Sequence, residues 1–469
     1  MLNWRGELLK YTDPRGWPIG KKALLFIGTV GLSYLATVWI SDDEYSFNEF
    51  YTLWLSLMAM GLWLTEAVPA FAVGLFIIGF QVLTLANKFI NPSPIDALLF
   101  TNTLANPIIW LMLGGFFLAG GLRKTGMDQQ LLLLTLRYFG PHPRRLLFGV
   151  MAATMVLSML MSNTAATAMM LAMVMPFLKS LGKQSAFRTS FLLGVPAAAT
   201  LGGMGTLIGS PPNAIAAGVL EKAGQPIDFL QWVWLGMLPS VLLTLVTWYF
   251  LVKKYPAEIE TVYSAKVQRT DTAAGAVKPA GIWIVRITLL LTLVGWLTAS
   301  IHKIPVHLIA ILPVVVFPMA GIVQAEDFNA MSWDTLILVA GGLSLGTSMI
   351  DSGLAVRLLS YLDMSGVPLF ALSLLFGYIA MIFSNIMSNT ATSAILIPLA
   401  VQFMPGEMTL LATSIALCAS CALLLPVSTP PNALAFSSGY LQQKDFRGTG
   451  LLIGLAGPLL INLWLWLLL

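Results

Sequence analysis

Polar and charged positions fall in short clusters along this 469-residue chain, and the stretches between them are almost unbroken apolar sequence. Ala23–Ser41, Ala67–Asn87, Ala97–Leu122, Phe229–Val252, Leu308–Ala325 and Gly448–Leu469 carry no charge. Each approaches or exceeds the ~20 residues with which a helix crosses ~30 Å of hydrocarbon. Phe50–Thr65, Ile287–Ile301 and Thr335–Ile350 are shorter, and reach that length if Glu66, Asp334 or Asp351 sits at the interface. Leu146–Leu178, Met364–Gly406 and Met408–Gln443 are too long for one crossing, and Thr189–Leu220 is long for a single helix. Each of these is interrupted near its middle by polar residues, Pro or Gly, where a membrane protein places its chemistry.

Composition agrees with the pattern. Charged residues make up 10% of the chain and hydrophobic ones 57%, against roughly 25% charged in soluble domains; mean hydropathy is +0.83. A soluble enzyme, a disordered chain and a nucleic-acid binder are excluded. An all-α polytopic membrane protein remains. The first run, from Ala23 to Ile40, reads as an anchor without a small-residue cleavage site. The two cysteines, Cys418 and Cys421, read as packing residues at helical spacing, and His142, His302 and His307 show no metal-ligand spacing.

The net charge of +4 says less than where the charges lie. Lys10, Arg15, Lys21 and Lys22 put the N-terminus inside, with Asp42, Asp43 and Glu44 outside. Lys253, Lys254, Lys266, Arg269, Lys278 and Arg286 keep the long polar insertion inside. Arg137, Arg144 and Arg145 precede Leu146–Leu178, and Lys179, Lys183 and Arg188 follow it, so that run enters and returns as a re-entrant hairpin. Its arms, split at Ser162-Asn163-Thr164, hold about 16 residues each, roughly 24 Å of helix. Met364–Gly406 becomes a second hairpin opening outward, and the C-terminus ends outside after about 11 crossings. The expected organisation is an N-terminal region with the first helix (1–49), a first repeat (50–252; hairpin 146–178, broken helix 189–220), a cytoplasmic linker (253–285) and a second repeat (286–469; hairpin 364–406, broken helix 408–439).

The halves match in order. Gly114-Gly115 pairs with Gly341-Gly342, and Thr125-Gly126 with Ser352-Gly353. Met161-Ser-Asn-Thr-Ala165 pairs with Met387-Ser-Asn-Thr-Ala391, and Ser210-Pro-Pro-Asn-Ala214 with Thr429-Pro-Pro-Asn-Ala433. An odd number of crossings per half makes the repeats inverted, the architecture of secondary transporters.

The interruptions have a definite chemistry. Ser158 with Ser162-Asn163-Thr164, and Ser384 with Ser388-Asn389-Thr390, offer hydroxyls, amides and freed backbone groups at a turn between half-helices. Their oxygens suit a hard cation; amide N–H groups opening the returning half-helix suit an anion. Gly209-Ser210-Pro211-Pro212-Asn213 and Ser428-Thr429-Pro430-Pro431-Asn432 break the next helix, and paired prolines release upstream carbonyls. A polar turn or a kink explains one copy; two copies in register favour a site. Without Lys or Arg nearby, an anion would be held by dipoles, hydroxyls and co-bound cations.

At these residues the chain resembles the divalent-anion:sodium symporter family, which carries dicarboxylates such as succinate. The resemblance implies an elevator-type homodimer in the lipid bilayer, placed in a bacterial inner membrane, with a scaffold domain and a mobile transport domain carrying both hairpins. It places one sodium ion at Ser158, Ser162, Asn163 and Gly209 and a second at Ser384, Ser388, Asn389 and Ser428, so two or more sodium ions are expected. The dicarboxylate would meet Ser162, Asn163, Thr164, Ser388, Asn389 and Thr390, helped by Ser210, Thr429 and Pro430. Alternatives are sodium-independent dicarboxylate exchange and symport of sulfate or citrate. A channel would show one continuous polar pore, an intramembrane protease a Ser/His, two-Asp or zinc set, and a sodium/proton antiporter central carboxylates. None of these occurs, so no enzyme activity is expected. Glu66, Asp334 and Asp351 fall at segment ends, most of the 14 Trp read as interfacial anchors, and Arg123 to Arg145 reads either as an interfacial amphipathic helix or as a plain cytoplasmic loop.

Overall fold

A computed structural model describes residues 19–140, 142–180, 185–257, 278–361, 366–402 and 406–469. Lys10, Arg15, Lys183, Lys266 and Arg269, most of the 253–285 linker, and positions 364, 365 and 403–405 of the second hairpin lie outside the described residues. Among the described residues the regular elements are helices: α1 (Ile19–Ile40), α2 (Phe47–Thr65), α3 (Ala70–Phe80, continued by a π-turn Gln81–Leu85), α4 (Ala97–Thr101), α5 (Pro107–Thr125), α6 (Met127–Phe139), α7 (Pro143–Ser158) and α8 (Asn163–Ser180). There follow α9 (Ala186–Gly202), α10 (Pro211–Lys222), α11 (Phe229–Lys254), α12 (Pro279–Leu297), α13 (Ala299–His302), α14 (Val306–Met319) and α15 (Ala325–Asn329). The chain closes with α16 (Trp333–Asp351), α17 (Leu354–Ser360), α18 (Leu369–Ile386), α19 (Asn389–Ala400), α20 (Met408–Ala419), α21 (Pro430–Phe436) and α22 (Gln443–Leu468). Among the described residues, seven helical stretches are long and apolar enough to cross a membrane, and four shorter helices are apolar. The run Ala97–Leu122 is not one straight helix: Asn106 caps a restart with Pro107 at its first position, where a missing N–H costs nothing. The segment from Arg123 toward Arg145 does contain a helix, α6.

The chain forms two units. One comprises the described residues up to Leu104 together with 337–361; the other comprises Ala105–Leu336 and the residues after 365. Both hairpins and both broken helices belong to the second unit.

Within each unit the duplicated Gly-Gly pairs mark a helix crossing. Gly341 lies against the backbone of Gly74, so α16 and α3 touch main chain to main chain. A methyl group on Gly114 would sit 2.5 Å from the Ala310 carbonyl oxygen, so α5 meets α14 in the same way. Small residues let helices approach this closely where no hydrophobic effect drives them together. In the first unit Gln81 opens the π-turn, and its Nε2 donates to Ser344 O (3.0 Å) and Ser348 Oγ (2.9 Å), satisfying a buried amide.

A polar clamp fixes α17. After Gly353 (φ +83°), Arg357 Nε donates to Glu49 Oε1 (2.7 Å) and Nη2 to the Glu44 carbonyl (2.9 Å), with the guanidinium 4.8 Å from the Tyr45 ring centre. Glu49 also accepts the Ser46 N–H (2.7 Å) in a capping box at the start of α2. Burial pushes the Glu49 carboxyl up, but the hydrogen bonds from Arg357 and Ser46 and the Arg357 charge prevail and hold it below its ordinary value. A depressed carboxyl contributes stability above its unfolded value and loses it as pH falls through the folded one. Glu49→Gln at neutral pH is therefore expected to raise amide exchange in 354–360 about threefold to tenfold, the modest size reflecting a partly solvated pair. Mass-spectrometric exchange on purified protein reads this, and acidification of the wild type should move in the same direction.

Candidate functional site

The first hairpin turns between α7 and α8, and the structure shows why the turn holds. Ser162 accepts the Ala165 N–H (3.3 Å) and so caps α8, leaving the N–H groups of Asn163 and Thr164 without an intrahelical partner. At the second tip Ser388 accepts the Ala391 N–H (3.1 Å), and Asn389 and Thr390 open α19 in the same way. Each tip thus presents free amides and the positive end of a helix dipole.

The broken helices are pinned by the asparagine of each Pro-Pro-Asn. Asn213 Nδ2 donates to Gly203 O (2.8 Å) and Thr206 O (2.7 Å), closing the gap between α9 and α10. Asn432 Nδ2 donates to Leu425 O (3.0 Å) and Leu423 O (3.5 Å) between α20 and α21. The halves also pack reciprocally: α10 lies against α19, and α21 against α8 and α9. The breaks therefore meet the hairpins inside one unit.

Ser158, Asn163 and Gly209 come together. One terminal atom of the Asn163 amide lies 2.6 Å from Ser158 Oγ, 3.1 Å from Gly209 O and 3.2 Å from Ala199 O; Ser158 Oγ donates to Ala199 O at 2.7 Å. Turned as nitrogen, that atom shares its two hydrogens among all three. Turned as oxygen, it completes a group of four oxygens whose only hydrogens are the Ser158 hydroxyl and the Gly203 N–H that Ala199 O accepts, an arrangement that a hard cation stabilises. The cradle is tight: a methyl group on Gly203 would meet Asn163 at 2.5 Å and Gly209 O at 2.9 Å, and one on Gly209 would meet Gly203 O at 2.6 Å.

The second set is arranged differently. Ser384 Oγ and Asn389 Oδ1 are buried with no hydrogen-bond partner, a costly state unless something else coordinates them. Ser428 is not tied to them: its Oγ donates to Asn385 Oδ1 (2.9 Å) and accepts the Leu425 N–H (3.0 Å). Thr429 accepts the Asn432 N–H (3.3 Å) as the cap of α21, Ser210 is buried ahead of α10, and Thr390 is buried while Thr164 and Pro430 are exposed.

The family model described as "citrate transporter" matches residues 51–422. The chain belongs to the citrate transporter family. It is an integral membrane transporter, not an enzyme. It is similar to a protein named sodium-dependent dicarboxylate transporter of Staphylococcus saprophyticus, 28% identical over 96% of this chain and 92% of the relative. A namesake from Staphylococcus aureus is 28% identical over 92% and 88%. Among solved structures, the fold resembles MtrF of Neisseria gonorrhoeae, titled as one of a class of antimetabolite efflux pumps (TM-score 0.54, 13% identity, 85% of this chain and 94% of that one). It also resembles the YdaH transporter of Alcanivorax borkumensis (TM-score 0.53, 18% identity, 84% and 98%).

For this citrate transporter family member, sequence reasoning missed three contributors. Ala199 offers a backbone carbonyl, to which its side chain is no guide. Thr206 Oγ1 donates to Met159 O (2.6 Å) and accepts the Gly209 N–H (3.1 Å), tying break to tip. Asn385 Oδ1 accepts the Leu424 N–H (2.9 Å) and performs that service at the second break. The Asn213/Asn432 pins were visible as the third member of each Pro-Pro-Asn, but read only as part of a kink.

Proposed function

We propose that this protein is a sodium-coupled symporter of C4-dicarboxylates, a homodimer that carries both hairpins across the bilayer by an elevator motion of its second unit. The observation that carries the reading is the convergence of Ser158 Oγ, Ala199 O and Gly209 O on the Asn163 amide, with the orphaned Ser384 and Asn389 oxygens as its counterpart. The dianion is held between the two tips by Ser162, Asn163, Thr164, Ser388, Asn389 and Thr390, with Ser210, Thr429 and Pro430 alongside.

The energetics favour coupling. A dianion in an uncharged protein interior faces a desolvation penalty of several kcal/mol per charge. Two sodium ions bound within hydrogen-bonding reach cancel that charge, so the loaded unit crosses as a near-neutral body. The names of the staphylococcal relatives agree with both ions and substrate. Gathering both tips and both breaks in one unit supports the elevator, and the matched motifs support the inverted repeats.

Labelled succinate uptake into proteoliposomes tests this. An inward sodium gradient is expected to raise the initial rate about tenfold or more over an equimolar choline gradient, since each tenfold gradient supplies ~1.4 kcal/mol per ion. Equal rates would leave the sodium-independent exchanger standing. The family description as a citrate transporter favours citrate as the second substrate reading. Stronger inhibition by unlabelled citrate than by unlabelled succinate would select it.

A further inference from the structure

We infer that Trp232 and Gly236 of α11 are positioning residues for the first cation site, acting through the backbone of the first helix break. The inference rests on the sodium-coupled reading above. The break runs Gly203-Met204-Gly205 as a single 3-10 turn, and it is held from two sides. On one side the Asn163 amide occupies the space where a Gly203 side chain would stand. On the other, Trp232 Nε1 donates to the Met204 carbonyl (3.1 Å), and the absence of a side chain at Gly236 lets that same carbonyl oxygen rest directly on α11. Trp232 is fully buried.

Gly203 and Met204 are adjacent, so the position of the Met204 peptide sets that of Gly203. Gly203 in turn touches both Asn163 and Gly209, two of the four cation-facing groups. Any displacement of Met204 toward the hairpin pushes Gly203 into the oxygen cluster. Any release lets the cluster widen. An indole N–H bonded to a carbonyl freed by the break is a fixed donor in a low-dielectric setting, where such a bond is strong.

The second break shows the same device with different parts. Gly450 of α22 lies against the backbone of Leu424, 2.6 Å from its nitrogen as a methyl group would measure it, while the Leu424 N–H is held by Asn385. Each break is therefore seated on a glycine of the long helix that follows it. At the first break an indole fixes the seat; at the second an amide does.

The test is sodium titration of succinate uptake by Trp232→Phe, Gly236→Ala and the control Trp296→Phe. Trp296 is also a buried indole bonded to a carbonyl, Val306 O at 3.0 Å, but it does not touch the break. Loss of the Trp232 hydrogen bond is expected to raise the half-saturating sodium concentration about fivefold. Saturating sodium should restore the maximal rate, and the succinate KM measured there should stay at the wild-type value. Gly236→Ala should shift half-saturation further in the same direction. Trp296→Phe should lower the unfolding temperature as Trp232→Phe does while leaving half-saturation unchanged. A Trp232→Phe protein that loses the same thermal stability yet keeps wild-type sodium half-saturation overturns the inference. Absence of any sodium response in the wild type overturns the coupled reading and the inference with it.

Discussion

Asn163→Ala is expected to cut succinate uptake about 100-fold or more, because it removes the group on which the cluster converges and leaves Gly209 O without its amide neighbour. Ser158 Oγ, Gly209 O and Ala199 O all converge on that one amide. Asn389→Ala should abolish uptake as well, but the two variants should differ in stability. Asn163 is satisfied by three neighbours as nitrogen, so its loss should lower the unfolding temperature without sodium. Asn389 Oδ1 has no partner, so its removal should leave that temperature level or slightly raised. Proteoliposome uptake and sodium-free thermal unfolding of detergent-purified protein read the two effects. Uptake retained by either variant would remove that tip from the site.

Gly203→Ala is the second large effect, again about 100-fold or more in uptake, from overpacking. Its methyl group would stand 2.5 Å from the Asn163 amide and 2.9 Å from Gly209 O. One neighbour is the proposed ligand and the other is main chain, so neither moves without opening the cluster. Gly79→Ala is the comparison: it has open space around it and sits in a helix where alanine is preferred. Uptake by Gly79→Ala should match the wild type. If Gly203→Ala does so too, the cradle is looser than the structure shows.

How far the sequence carried depends on whether a group acts through its side chain or its backbone. The tips and breaks were legible because Ser-Asn-Thr and Pro-Pro-Asn each recur inside uncharged runs, and their local physics, a cap and a missing donor, acts within four residues. The restart at Asn106-Pro107 carried an equally local signal, yet the uncharged run hid it. The resemblance groups Ser428 with Ser384, Ser388 and Asn389 around one sodium ion; in the structure its hydroxyl donates to Asn385 Oδ1, one residue along from Ser384. A helix turns about 100° per residue, so neighbours in sequence face different ways. Ala199 and Met204 act through carbonyls that any residue supplies. The division into units was hidden for another reason. Charge clusters mark where the chain meets water, whereas the units are set by which helices touch.

That division has a consequence for how the protein is made. The first unit takes its closing helices from 337–361, and the second takes one hairpin and one broken helix from after residue 365. A ribosome that has finished the first half has therefore completed neither. Gly74 has no Gly341 to meet, Gly114 has no Ala310, and α10 has no α19. The early helices wait in the lipid with their small-residue faces uncovered, and assembly is deferred until the second half arrives. The interval between those two moments is when quality control has access to the chain, and a stop or frameshift shortly after residue 252 would leave a half-protein with neither unit complete.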